Sequence, residues 1–189
     1  TLELARSQKD TPLIADCYSD LAGIEQLIGD YKIAVAYVEQ ALTLYREAND
    51  YGGECWSLGF LGLLELRQGH VDEAESLLQR ALILAEESKG QRWRTLYQTA
   101  ALHTGAAPPK EEQPCKILFI THLGFVAAER GQFEEARQKI ATGLHLIQEM
   151  QEPWLESLIL VDLGRAELEL GHEAVAPGYF LQSLNISKT

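Results

Sequence analysis

Cysteine is scarce in this sequence, and the spacing of the few cysteines excludes two kinds of cross-link. The three residues, Cys17, Cys55 and Cys115, are far apart, odd in number and without a Cys-x-x-Cys spacing. Neither a disulfide framework nor a zinc knuckle is indicated, and we expect all three to be reduced and buried. Long apolar runs and the charged-then-apolar order of a signal peptide are also missing. A cytoplasmic location is the prediction that follows.

Basic residues are outnumbered, with 16 Lys and Arg against 28 Asp and Glu, which gives a formal net charge of −12. This balance opposes the electrostatic attraction on which binding to a phosphate backbone depends, so we predict no direct contact with nucleic acid. The acidic residues are scattered along the chain. Their pattern therefore favours ordinary solubility over a signal for a basic partner.

Signatures of chemistry are absent as well. The sequence contains no phosphate loop, nucleophile elbow or dinucleotide fingerprint. Its five histidines show no ligand spacing, and His70 and His172 occupy the same position in different repeats, which makes them candidate turn residues. We predict a protein that is not an enzyme, with no catalytic residue, no cofactor and no metal site.

What the sequence does contain is an internal repeat. Each unit has a Leu-Gly or Leu-Ala pair and a glycine seven residues after the second member of the pair. An alanine follows five residues after that glycine, and a large apolar residue follows four residues after the alanine. The pairs are Leu21-Ala22, Leu61-Gly62, Leu123-Gly124 and Leu163-Gly164, and the glycines are Gly29, Gly69, Gly131 and Gly171. The alanines are Ala34, Ala74, Ala136 and Ala176, followed by Val38, Leu78, Ile140 and Phe180.

The repeat predicts two amphipathic helices per unit. Apolar residues recur at three- and four-residue steps, and the glycine falls where the chain must reverse. The small residues allow the two helices to approach closely, while the large apolar residues fill the seam between them. A single helical hairpin cannot bury both of its faces, so neighbouring units are expected to stack.

This pattern resembles the tetratricopeptide repeat over nearly the whole chain. The resemblance implies an all-α fold, a right-handed α-α superhelix built from helical hairpins. Two departures are a missing terminal proline and a step of 40 residues, from Gly29 to Gly69, instead of 34. Longer helices would account for both, and armadillo-type arrays are the less favoured alternative. The junction 46–62 is similar to those of tetratricopeptide arrays in large bacterial signalling and transcriptional regulators.

We predict one solenoid domain over residues 1–189. It begins with the end of a preceding repeat at 1–10 and has full repeats at 12–50, 51–90, 115–151 and 152–189. The rhythm breaks between Gly69 and Gly131, which are 62 residues apart. Residues 91–114 are accordingly predicted to be a degenerate half repeat followed by a Pro-containing loop. An extended crossing at 105–114 would keep the array continuous, and a flexible linker between two small domains is the alternative.

The resemblance also implies a concave groove lined by the first helix of each repeat, and hence a scaffold for protein–protein interaction within a larger regulator. The predicted partner-binding residues are Trp56, Leu63, Arg67, Leu118, Phe125, Val161 and Arg165, with Gly59 and Thr121 among the other groove positions. Such a groove would accept an amphipathic helix or an extended segment of a protein or peptide partner. Trp56 and Phe125 could instead pack between repeats. A sensor for a peptide or small ligand and self-association through the end faces are the alternative functions.

Overall fold

The computed structural model describes residues 3, 6, 10–87, 114–150, 153–169 and 171–186, and within these ranges the regular structure is α-helical. Eight helices follow one another along the described chain. They are α1 (Thr11–Ile28), α2 (Tyr31–Glu47), α3 (Tyr51–Arg67), α4 (Val71–Glu87), α5 (Pro114–Glu129), α6 (Phe133–Met150), α7 (Pro153–Glu169) and α8 (Ala176–Ile186). The prediction of an all-α chain of helical hairpins is confirmed.

The helices pack in sequential pairs within two compact units. Unit 1 is Thr1–Glu112 and contains the hairpins α1–α2 and α3–α4, while unit 2 is Gln113–Thr189 and contains α5–α6 and α7–α8. In unit 1 the hairpins meet through α2 and α3, and in unit 2 they meet through α6 and α7. The predicted half repeat at 91–114, apart from Pro114, lies outside the described residues. A single domain over 1–189 therefore stays a prediction.

The step of 40 residues has the predicted origin, because the helices of unit 1 are 17 or 18 residues long. Within each described hairpin the turn contains a glycine with positive φ, at 91° for Gly29 and 83° for Gly69. The following amide then donates back to a carbonyl five residues earlier, as Asp30 N does to Glu25 O at 2.9 Å. This closure satisfies carbonyls that the end of a helix leaves open.

An aspartate precedes each of the first three helices, and these aspartates are twenty residues apart, which is half of the 40-residue repeat. The carboxylates of Asp10, Asp30 and Asp50 accept from backbone amides three residues further on, at 3.1–3.2 Å. A side chain at this position satisfies one of the free amides at a helix start. The turn between the two hairpins closes in the same way as the turns within them, with Asn49 at φ 53° and Asp50 N donating to Tyr45 O at 2.8 Å.

The recurring small residues lie where the helices of a hairpin are closest. A Cβ atom on Gly62 of α3 would lie 2.7 Å from Leu78 Cγ and 3.2 Å from Ala74 O, both on α4. On Gly124 of α5, a Cβ atom would meet the equivalent atoms of α6. The predicted contact between the Leu-Gly pair and the alanine and large apolar residue of the second helix is confirmed in these hairpins.

Tyr45 joins the two hairpins of unit 1. Its side chain is fully buried in a cluster with Ala15 and Ala41, and its ring lies against Gly53 of α3, where a Cβ atom would overlap it. Its hydroxyl donates to Asp16 Oδ1 at 2.7 Å. A single aromatic residue thus packs against α1 and α3 while its polar atom has a charged partner.

Helix α8 is shorter than the others, with 11 residues. A proline in the sequence explains this shorter length. Pro177 aligns with Glu75, which lies in the second turn of α4. Proline has no amide hydrogen and is tolerated only in the first turn of a helix. The helix therefore begins at Ala176, after a turn in which Val175 N donates to His172 O at 2.9 Å.

Ser57 gives a first test of how α3 is packed. Its side chain is fully buried, and its hydroxyl has no hydrogen-bond partner within the described part of the chain. An unsatisfied buried hydroxyl is costly, so Ser57→Ala is expected to raise the free energy of unfolding by about 1 kcal/mol in urea denaturation followed by circular dichroism.

Ser157 is the matched control for this substitution, because its hydroxyl lies 2.8 Å from Ser183 Oγ, between α7 and α8. Ser157→Ala removes a formed hydrogen bond and is expected to lower the free energy of unfolding by about 1 kcal/mol. A loss of stability in Ser57→Ala would show that its hydroxyl has a partner in solution.

Candidate partner-binding surface

Three of the predicted residues lie on one stripe of α3. Trp56, Leu63 and Arg67 are separated by seven and four residues, so they share a face of the helix. Trp56 and Leu63 are partly exposed and Arg67 is exposed. Phe60, four residues after Trp56, is also partly exposed and belongs to the same stripe. We call these four residues the α3 stripe.

Packing of the other faces of α3 explains why this stripe remains accessible. One face, at Gly62, lies against α4, and another, at Gly53, lies against Tyr45 of α2. Leu64 is eleven residues from Gly53, which is three turns, so it lies on the α2-facing side and is fully buried. The α3 stripe is the part of the helix between these two contacts.

Arg67 provides the charge of the stripe. Its guanidinium is exposed and makes no ion pair or hydrogen bond within the described residues. By contrast, Arg46 of α2 donates from Nε to Glu54 Oε1 at 2.8 Å. The stripe therefore offers three apolar side chains followed by a cation at the carboxyl end of α3.

The other predicted residues lie in unit 2, on α5 and α7, which touch each other. Phe125 is partly exposed, and its ring centroid is 6.3 Å from that of the buried His122. Val161 is partly exposed and Arg165 is exposed, one turn apart on α7. Leu118, in contrast, is buried, within a first half of α5 whose side chains are mostly buried. We leave Leu118 out of the proposed surface.

Two further groove positions differ from the prediction. Thr121 is fully buried, and its Oγ1 donates to Ile117 O at 2.8 Å. A Cβ atom on Gly143 of α6 would overlap Thr121 Oγ1, so Thr121 faces the second helix of its own hairpin. Gly59, another predicted groove position, is buried as well.

Phe60 is the residue that the sequence prediction missed, although its spacing of four from Trp56 was a usable signal.

A hollow of about 620 Å³ lies elsewhere in unit 1, between the first hairpin turn and the end of α3. It is open to solvent, and its lining consists of Ile28, Gly29, Asp30, Tyr31, Lys32 and Gln68. None of the residues of the α3 stripe belongs to this lining. The stripe combines partly exposed apolar side chains with an exposed cation along one face of a helix, which suits a macromolecular partner.

Two histidines at the hairpin turns each contact a glutamate of the preceding helix. Nδ1 of His70 lies 2.6 Å from Glu65 Oε2, and Nδ1 of His172 lies 2.7 Å from Oε2 of the buried Glu167. Both histidines directly follow a turn glycine, as predicted. Within the described residues, no group of three or more His, Cys, Asp or Glu side chains could hold a metal ion.

The three thiols are buried, as predicted, and none of them forms a disulfide. Cys55 Sγ donates to Ala81 O at 3.0 Å, from α3 to α4. Burial, with a smaller contribution from the Glu54 carboxylate, raises the pKa of Cys55 to about 12. Because a thiolate is the nucleophilic form, Cys55 is inert at neutral pH.

Comparison with known proteins identifies the repeat. A family model described as the tetratricopeptide repeat matches residues 13–87, which include both hairpins of unit 1. Residues 13–87 therefore carry tetratricopeptide repeats. Tetratricopeptide repeats generally mediate protein–protein interaction, and their fold is typically a scaffold without enzymatic activity. A search of curated protein sequences gave no match.

Solved structures support the tetratricopeptide fold. BtubC (BKLC) from P. vanneervenii matches with a TM-score of 0.59 and 16% identity, over 95% of this chain and 65% of that one. The chain thus spans less than two thirds of the length of BtubC. A kinesin-light-chain-like protein from Podosopora anserina with nearly identical TPR-like repeats matches with a TM-score of 0.51 and 17% identity, over 98% of this chain and 82% of that one. A second structure of that protein, a point variant, gives 0.53 and 16%, over 98% and 81%. At these identities the likeness concerns the fold.

Over the ranges that the structure describes, no helix is both long enough and apolar enough to cross a bilayer.

Proposed function

We propose that the chain is a protein-interaction scaffold that holds a segment of a protein partner along the α3 stripe. The observation that carries this proposal is the exposure of Trp56, Phe60 and Leu63 between two packed faces of α3. Their spacing along one face of α3 would allow them to contact the apolar anchors of a partner that binds as an amphipathic helix or an extended segment. Tryptophan and arginine are also the residue types that most often dominate the binding energy of an interface.

The partner that fits this stripe has apolar anchors and a carboxylate opposite Arg67. The exposed guanidinium of Arg67 would form a charge-assisted hydrogen bond with such a carboxylate. Phe125, Val161 and Arg165 provide a similar combination in unit 2, with an exposed cation one turn from a partly exposed apolar residue. The net charge of −12 further supports a protein over a nucleic acid as the partner.

A peptide selection tests the α3 stripe. A display library of 12-residue peptides is selected against the full chain, and the dissociation constants of the selected peptides are measured by fluorescence anisotropy. Trp56→Ala is expected to raise these constants at least tenfold, because it removes the largest anchor of the stripe.

Ile83→Ala on α4 is the matched control, since Ile83 is 56% exposed and lies outside the stripe. It is expected to leave the affinities unchanged, and circular dichroism is expected to show equal helicity for both variants. Equal affinities of the Trp56→Ala and unchanged proteins for every selected peptide would reject the α3 stripe as the site.

The second candidate function is a sensor that binds a peptide or small ligand and relays this to a neighbouring domain. The observation in its favour is the hollow lined by Ile28, Tyr31 and Gln68, which is open to solvent. A thermal-shift screen with small metabolites distinguishes the two functions. Saturable stabilisation by a metabolite supports the sensor, and its absence across the screen supports the scaffold.

The proposed setting is a large bacterial regulatory protein of the cytoplasm. Its support is the resemblance of the junction 46–62 to those of such regulators, together with three cysteines that form no disulfide with one another. An adjoining nucleotide-binding or helix-turn-helix domain in the parent gene would agree with this setting, whereas an adjoining secreted domain would contradict it.

A further inference from the structure

A chain of hydrogen bonds connects α1 to α2 beside the α3 stripe. The hydroxyl of Tyr45 donates to Asp16 Oδ1 at 2.7 Å. A phenol has only one hydrogen, so in the contact of 3.3 Å between Ser19 Oγ and the Tyr45 oxygen the donor is Ser19. With its hydrogen used in this way, Ser19 presents the lone pairs of its oxygen as an acceptor. We call Ser19, Tyr45 and Asp16 the hydroxyl chain.

The hydroxyl chain lies next to the start of the α3 stripe. The ring of Tyr45 lies against Gly53 of α3, while its hydroxyl contacts α1, so one side chain spans the distance between these helices. Trp56, the first residue of the stripe, follows Gly53 by three residues, which is about one turn. In the repeat register, Trp56 aligns with Asp16 of the hydroxyl chain. A segment bound on Trp56 therefore passes close to Ser19.

Ser19 is accessible to a partner. It is partly exposed, and among the described residues its side chain bonds only to Tyr45. The same repeat position stays partly exposed at Val161, where the hairpin α5–α6 precedes α7 and packs on it. A preceding hairpin therefore leaves this position open. The two buried residues at this position differ locally, because Gly59 has no side chain and Thr121 faces the second helix of its own hairpin.

The order of the hydroxyl chain makes Ser19 a stronger acceptor than an isolated serine. The chain ends on the carboxylate of Asp16, and a hydrogen bond to a carboxylate is stronger than one between neutral groups. Bonds in such a chain polarise one another, because each oxygen that donates its hydrogen gains electron density. The Ser19 oxygen therefore favours a partner that brings an N–H donor.

The backbone amide of an extended segment is the donor that suits this acceptor. In a helical partner, the amides beyond the first turn already donate to carbonyls of the same helix. In an extended segment outside a sheet, the amides have no such partners and lose their water when the segment binds. The α3 stripe and Ser19 together offer an anchor for a side chain and an acceptor for the main chain next to it.

We propose that the partner segment binds the α3 stripe in an extended conformation and that one of its backbone amides donates to Ser19 Oγ. This inference rests on the function proposed for the α3 stripe and defines the conformation of the segment that the stripe binds. A side chain of the segment lies on Trp56, and the amide beside that residue faces Ser19. Tyr45 and Asp16 hold the Ser19 hydroxyl in the orientation that accepts the amide.

An ester scan of a bound peptide tests the backbone contact. The probe is the tightest 12-residue peptide from the selection on the full chain whose affinity falls in Trp56→Ala. In a set of variants of the probe, each backbone amide in turn is replaced by an ester, which exchanges the N–H for an oxygen and removes the donor. One of these esters is expected to raise the dissociation constant roughly fivefold, the loss for one hydrogen bond.

Protein variants assign this amide to Ser19. Ser19→Ala is expected to weaken the all-amide probe by the same factor, and the sensitive ester is then expected to cause no further loss. Ser19→Thr keeps a hydroxyl and is expected to retain the affinity. Ser76→Ala is the matched control, because Ser76 is exposed on α4 outside the α3 stripe, and it is expected to change nothing. Circular dichroism checks that each variant is folded.

Three results would overturn the inference. The first is equal affinity of the probe for Ser19→Ala and the unchanged protein, and the second is an ester effect that persists in Ser19→Ala. The third is a set of helical Cα chemical shifts for the bound, ¹³C-labelled probe, whereas extended shifts agree with the inference. In each case a probe that Trp56→Ala weakens leaves the function of the α3 stripe in place. A selection without such a probe rejects that function and this inference together.

Discussion

Tyr45→Ala is expected to lower the free energy of unfolding of unit 1 by about 3–5 kcal/mol, the range for removal of a large buried aromatic side chain. The ring is fully buried and packs against Ala15 of α1 and Gly53 of α3, so its loss leaves a cavity where the two hairpins join. It also leaves Asp16 without the hydroxyl that donates to it at 2.7 Å. Urea denaturation followed by circular dichroism measures the change.

Tyr45→Phe separates packing from hydrogen bonding. It keeps the ring and removes only the hydroxyl, so the expected loss is about 1 kcal/mol. If Tyr45→Ala cost no more than Tyr45→Phe, the ring would contribute little to the contact between the hairpins, and the junction described for unit 1 would be incorrect.

Gly124→Ala is expected to destabilise unit 2 by about 1–3 kcal/mol, although alanine is a better helix former than glycine. The new Cβ atom would lie 2.7 Å from Ile140 Cγ1 and 3.0 Å from Ala136 O on α6. The carbonyl belongs to the backbone of a packed helix, so relief requires the two helices to separate. Thermal unfolding followed by circular dichroism measures the result.

Gly178→Ala is the matched substitution on α8. A Cβ atom there has no neighbour within 4 Å, and Gly178 is not among the residues with positive φ. The gain in helix propensity is therefore expected to raise the stability of unit 2 by about 0.5–1 kcal/mol. Stabilisation by both substitutions would contradict the close approach of α5 and α6.

The packing within hairpins was the most predictable part of the fold. Leu61-Gly62, Ala74 and Leu78 recur in register, and the structure brings Gly62 against the other two. Such contacts join residues fewer than twenty positions apart, and their chemistry is repeated along the chain, so the sequence specifies them several times. The start of α8 was also predictable in principle, since Pro177 marks the first turn of a helix.

The candidate surface was less predictable, because exposure depends on how each helix is rotated against its neighbours. Thr121 and Phe125 are four residues apart, yet Thr121 is buried against α6 while Phe125 is partly exposed. Likewise, Ile24 and Leu64 have the same repeat position and opposite exposure. The repeat pattern describes a position, whereas burial depends on whether a neighbouring helix lies on that face.

The turn that follows Tyr45 has the same backbone closure as the turn that follows Glu25, although one joins two hairpins and the other lies within a hairpin. Asp10, Asp30 and Asp50 accordingly begin successive helices at intervals of twenty residues. A tandem gene duplication of residues 10–49 and one of residues 30–69 would thus create joints with equivalent turns. The array can lengthen during evolution from breakpoints in either kind of turn, and the border of a repeat unit is a convention of the alignment.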